Sequence, residues 1–153
     1  MEEKRNCGSC TLCCLVTRVP EFEKLENIWC SHCNINKDCN IYEQRPLSCK
    51  KFECEWYSNA KLDENLRPDK CGVVFEKFTD LTYFALVDPN RALAWQDKCI
   101  MDFINQLLFT GHAVAITSGI NSEKHIIVPI GYTPEDIWTD IITTAKRKGL
   151  ITN

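Results

Sequence analysis

The stretch Cys7-Gly8-Ser9-Cys10-Thr11-Leu12-Cys13-Cys14 places four thiols in one short run, two of them adjacent. The chain has 11 cysteines, and Cys7, Cys10, Cys13, Cys14, Cys30, Cys33, Cys39, Cys49 and Cys54 all fall in its first third; only Cys71 and Cys99 lie beyond. Thiols can pair as disulfides, work as redox nucleophiles or, once ionised, ligate metals, and the compartment decides which of these is favoured. The opening residues Met1–Cys10 are charged and show no apolar run of the kind that marks a secretory signal. The expectation is therefore a cytoplasmic protein, in which clustered cysteines bind metal or do chemistry. The odd count agrees, because full pairing would leave one thiol over.

The spacing narrows the chemistry. Two-residue gaps separate Cys7 from Cys10, Cys10 from Cys13 and Cys30 from Cys33, and such gaps let two sulfurs converge on one tetrahedral ion. Nineteen residues lie between Cys10 and Cys30, within the range of a four-cysteine zinc site. That site leaves Cys13, Cys14, Cys39, Cys49 and Cys54 unused. Neighbouring side chains point to opposite sides of an extended chain and diverge by about 100° on a helix. Cys13 and Cys14 are thus expected to serve two neighbouring ions, or one metal and one packing role. The reading is a polynuclear zinc centre, with about two or three ions shared by nine thiolates. An iron–sulfur cluster, in an oxidoreductase or electron carrier, is the alternative. The run departs from the ferredoxin pattern, because Cys14 follows Cys13 at once and no cysteine precedes a proline. Ligation by Cys33, Cys71 and His32 is left open by spacing alone. No Ser/His/Asp set, phosphate-cradling glycine loop or HExxH pattern is present, so no catalytic residue is assigned and enzymatic activity stays undecided.

Larger motifs join these pieces. "CGSCTLCC", "WCSHC", "CNIYEQRPLSCKKFEC" and "LRPDKCGVVFE" together resemble the YkgJ-type cysteine-cluster family, a zinc- or iron-chelating CxxCxxCC domain, over roughly residues 7 to 76. The resemblance implies a metal or iron–sulfur binder with a cysteine core of Cys7, Cys10, Cys13, Cys14, Cys30, Cys39 and Cys49, with Cys54 added. Arg45 and Pro46 also match the motif. Pro46 would fix the backbone entering the Cys49 segment, and Arg45 would donate to thiolates or carbonyls.

The surroundings must position this device. With 153 residues, 44% hydrophobic and 25% charged, the composition is that of a globular protein. A net charge of −3 argues against a general nucleic-acid partner, and no apolar run approaches the ~20 residues of a membrane span. Metal ions are the partners expected. Residues 1–58 read as a cysteine-rich metal module with scattered apolar groups (Leu15, Val16, Phe22, Leu25, Trp29, Ile41, Phe52, Trp56), too thin a core to hold itself together without metal. Residues 59–153 read as an α+β body, and the two parts are compatible with one compact domain. "CGVVFEKF" and "LTYFALV" form a hairpin, "AVAITS" and "HIIVPI" a second one around "GINSEK". A helix follows "DPN" and runs to Gly111, with Cys99 packed inside four residues after Trp95. A second helix starts at Thr133-Pro134 and stops at Gly149, burying Ile137, Trp138, Ile141, Ile142 and Ala145; its basic Lys146-Arg147-Lys148 end complements the helix dipole. The fold class expected is α+β: an irregular cysteine-rich module packed on an antiparallel sheet of two hairpins covered by two helices.

Overall fold

The structure, a computed structural model, describes residues 5–118 and 123–152. The N-terminal third holds only short elements: helix α1 (Leu12–Val16), a two-residue ladder of β1 (Cys33–Asn34) and β2 (Asp38–Cys39), α2 (Leu47–Lys51) and α3 (Glu55–Ser58). After α4 (Pro68–Cys71) come β3 (Val73–Lys77), β4 (Thr82–Val87), α5 (Lys98–Phe109), β5 (Ala113–Ser118), β6 (Glu123–Ile127) and α6 (Pro134–Arg147).

Both expected hairpins form: β3 pairs antiparallel with β4, and β5 with β6. Of the segment expected to turn the second one, residues 119–122 lie outside the described residues. The wholly antiparallel sheet is corrected. The strand order is β3-β4-β5-β6, and the central pair β4·β5 is parallel, with Tyr83 opposite Val114 and Ala85 opposite Ile116. The reason is α5. A helical crossover carries the chain back along the sheet, so the next strand enters in the direction of the last one.

Strand alternation sorts the side chains into two faces. On one face Val73, Phe75, Tyr83, Ala85, Val87, Val114 and Ile116 pack under Ile100, Phe103, Ile104 and Leu107 of α5. The other face is divided. Ala113 and Ala115 meet Ile137 and Ile141 of α6, while Val74 meets Leu12, Leu15 and Val16 of α1. The helices therefore cover opposite faces, and the cysteine-rich part shares one of them with α6. The thin apolar set of residues 1–58 is thus completed by the sheet: Leu15 and Val16 are buried, whereas Phe22 and Leu25 stay exposed.

Three expectations along the helices change. The first long helix begins at Lys98, because residues 89–96 form two short 3-10 turns, Pro89–Arg91 and Ala94–Gln96, ahead of Asp97. Trp95 therefore lies outside the helix, and Cys99 is exposed rather than packed inside. On α6, Trp138 and Ile142 are 36% and 44% exposed, and Thr144 takes a buried place. Residues 138 and 142 lie past the edge of the stripe, whose centre is Ile137, Ile141 and Ala145.

The start of α6 behaves as its sequence predicts. Thr133 caps the helix, and the Asp136 carboxylate accepts from Thr133 N at 2.8 Å and Oγ1 at 2.9 Å. These hydrogen bonds hold the Asp136 carboxyl below its usual range. A depressed carboxylate stabilises the fold above its unfolded value, and that contribution disappears as the pH falls through the folded one. Asp136→Asn is expected to lower the thermal midpoint at pH 7 and to do so progressively less towards pH 3. A gap of constant size across that range, measured by circular dichroism melts, would contradict the assignment.

Candidate metal centre

Local backbone geometry gathers the sulfurs. Cys10 N donates to Cys7 O at 2.9 Å and Cys33 N to Cys30 O at 3.1 Å, so each CxxC closes a tight turn. In the first turn Gly8 has φ 54°, a left-handed conformation that disfavours any side chain. Across the small ladder Cys33 stands directly opposite Cys39, which places their Cβ atoms about 5 Å apart. Asn36, with φ 59°, makes the turn, and its N–H donates to the buried Thr11 hydroxyl at 3.0 Å, tying the ladder to the start of α1. The Glu21 carboxylate accepts from Ser48 N at 2.9 Å and Ser48 Oγ at 2.6 Å, fixing the turn of α2 that carries Cys49.

The cysteines fall into two adjoining groups. Cys7, Cys10, Cys13 and Cys54 line one cavity of about 20 Å³, together with Trp56, Tyr57, Pro68 and Val74. Around Cys14 lie the others: Cys30 N donates to Cys14 O at 3.0 Å, and Cys33, Cys39 and Cys49 are near enough for its charge to raise their thiols. The seam between the groups is the adjacent pair Cys13 and Cys14 in α1. Cys54 reaches the cavity because its backbone bridges Glu76 beside β3.

The thiols sit where ionisation is disfavoured. Burial pushes Cys54 and Cys33 up to about 12 and raises Cys7, Cys10, Cys39 and Cys49, with neighbouring sulfurs adding repulsion at most of these positions. For Cys14 the neighbouring Cys13 sulfur, towards which the Cys14 thiol donates, acts first and burial second, both upward. Against this, Arg45 and Arg67 draw the Cys7 thiol down. Arg45 lies 3.8 Å from the Tyr42 ring centroid and donates through Nε to Tyr42 O at 2.8 Å, so its expected carbonyl contact is present. Arg67 donates to Cys7 O and Ser9 Oγ, each at 3.1 Å.

Two donors at this place lack acceptors. Trp56, 6% exposed, lines the cavity, and its Nε1 is buried without a hydrogen-bond partner. Arg67 Nε is buried likewise; Asp69 Oδ1 stands 3.0 Å away but out of line for a hydrogen bond. Buried donors without acceptors are costly, and beside four thiols they fit a site that carries negative sulfur. Among the described residues, however, no three Cys, His, Asp or Glu side chains are arranged as a formed metal-holding group. The sulfurs are neighbours around a cavity, not a closed ligand shell.

Other candidates are placed elsewhere. Cys71 is buried, its Sγ 3.3 Å from Val73 O and 3.5 Å from Leu66 O, and burial raises its thiol to about 11. His32 packs its ring on Phe22 at 4.8 Å. Arg18, Lys50 and Lys51, which flank the cysteine segments in sequence, are exposed. Sequence reasoning missed Lys24 and Arg67, since nothing in "EKLEN" or "NLRPD" separates a buried cation from a solvated one.

The chain matches no family model, no curated protein and no solved structure. The likeness to the CxxCxxCC family thus rests on the motif residues alone.

The arrangement orders the thiols by access. Cys99 is exposed, Cys71 is buried and the nine clustered thiols are half-buried. Limited alkylation of the native protein under reducing conditions, followed by peptide mass spectrometry, is expected to label Cys99 first and Cys71 last. Faster labelling of any clustered cysteine than of Cys99 would contradict this packing.

Proposed function

We propose that this protein chelates metal, zinc in the first instance, through the clustered thiolates of Cys7, Cys10, Cys13, Cys14, Cys30, Cys33, Cys39, Cys49 and Cys54, as a polynuclear centre belonging to the CxxCxxCC type. The observation that carries the reading is the cavity between Cys7, Cys10, Cys13 and Cys54. About 20 Å³ exceeds the roughly 10–15 Å³ that one water needs, so a single ion fits, and four cysteines are the donor set of a closed tetrahedral zinc site. Trp56 and Arg67 offer the unpartnered donors that such an anionic sulfur set accepts. Because no ligand shell is preformed, binding has to draw the sulfurs inward, and folding of the module is coupled to it. The second thiol group, joined through Cys13 and Cys14, supplies ligands for a further ion.

Binding zinc to thiolates contributes on the order of 10 kcal/mol, which suits a segment whose own apolar core is small. The role is structural in this reading: saturated sulfur ligation leaves no open coordination position. Iron–sulfur ligation uses the same donors, and the two are separated by colour.

Protein purified without oxygen is expected to be colourless, to contain at least two zinc ions per chain in native mass spectra and to lose one of them in the double variant Cys10→Ser/Cys54→Ser. Visible charge-transfer bands accompanied by iron and sulfide would replace zinc with an iron–sulfur cluster. A chain that takes up no metal under reducing conditions would end the proposal.

A further inference from the structure

The second thiol group encloses a cation. Lys24 is only 8% exposed, and its Nζ donates to Leu15 O at 3.2 Å, to Leu25 O at 3.0 Å and to Thr17 O. Three carbonyl acceptors use all three hydrogens of an ammonium, whereas a neutral amine has only two to give. The side chain is delivered there by a doubled-back loop. Val19 and Lys24 form an isolated antiparallel bridge around the 3-10 turn Pro20–Phe22, and Glu23 closes it with φ 52°. Within electrostatic reach of the ammonium lie Cys30, Cys14, Cys49 and Cys13.

Among the described residues no carboxylate pairs with Lys24, although buried lysines are rare unless paired. Carbonyl dipoles solvate the ammonium but do not neutralise it. A charge of that kind, held by carbonyls beside the cysteine segments, finds its counter-ion in ionised sulfur nearby. The need is mutual. Four thiolates around one divalent cation leave a surplus of two negative charges, which burial makes expensive.

We infer that Lys24 is the built-in counter-cation of the second thiol group, which it approaches at Cys14, Cys30 and Cys49, and strengthens its hold on metal by offsetting surplus thiolate charge. This rests on the metal-chelating reading above. Lys24 is a positioning residue: it touches carbonyls, and acts on the ion through the charge it places beside the sulfurs.

The test uses the full chain, loaded with zinc under anaerobic reducing conditions and titrated with a coloured chelator. Lys24→Met removes charge and donors, Lys24→Gln removes the charge while keeping amide donors, and Lys24→Arg keeps the charge. The expected result is a loss of about 10- to 100-fold in affinity for the more weakly held zinc in the Met and Gln variants, with the Arg variant close to wild type and the other zinc unaffected. Neutral variants that hold zinc as tightly as wild type would overturn the inference, even if their zinc-free forms melt lower. It would equally be overturned if neither neutral variant folds with or without zinc, since the role would then be structural. Failure of the wild type itself to bind zinc is a different outcome and removes the underlying reading.

Discussion

Gathering sulfur out of water creates an electrostatic problem that the rest of the N-terminal third is arranged around. A buried thiol resists ionisation, a second thiolate nearby raises the cost, and nine of them share the space between α1, the small ladder, α2 and the edge of β3. Such a set is stable either as neutral thiols or as thiolates around cations. The fixed cations Lys24, Arg45 and Arg67 beside it, and the donors left without acceptors on Trp56 and Arg67, weigh towards the second state. Neutral thiols would leave the buried Lys24 charge and the Trp56 donor unanswered, whereas Arg67 already pairs with Asp69.

Helix α1 is where this problem meets the fold. Leu12, Leu15 and Val16 recur at helical spacing and press on Val74 of β3. Cys13 and Cys14 occupy the remaining positions, and their sulfurs join the two thiol groups. One short helix thus fixes the sheet on one side and the sulfur on the other. The body has its own core under α5, which Trp56 and Cys71 join and against which Cys54 packs. Arg5 supports the same junction, lying 4.5 Å from the Trp56 ring centroid and donating to the carbonyls of Trp56 and Ala60.

What sequence made legible follows from how local each signal is. Strand alternation in residues 73–87 and the capping residues around Thr133 act within a few positions, and both appear in the fold as read. The parallel pairing of β4 with β5 depends on where a crossover helix leaves the chain, which no local period encodes. Cys99 was misplaced because a four-residue spacing from Trp95 assumes a continuous helix, and Asp97 begins it one residue before Lys98. At the site, spacing grouped Cys7 with Cys10 and Cys30 with Cys33. It also set Cys13 and Cys14 apart, but did not show which other cysteines join each, since the chain folds back through Thr11, Asn36 and Glu21 contacts between residues far apart in sequence. Lys24 was invisible for the same reason: its burial is decided by a loop closing on α1.

The most direct measurement is hydrogen exchange of the reduced, full-length protein by mass spectrometry, before and after a strong chelator removes bound metal. Peptides covering residues 7–54 should lose most of their protection on chelation and regain it with added zinc, while β3, β4, β5 and α5 stay protected. Unchanged protection of residues 7–54 in metal-free protein would mean that packing alone holds the cysteine-rich third together, and would contradict the account.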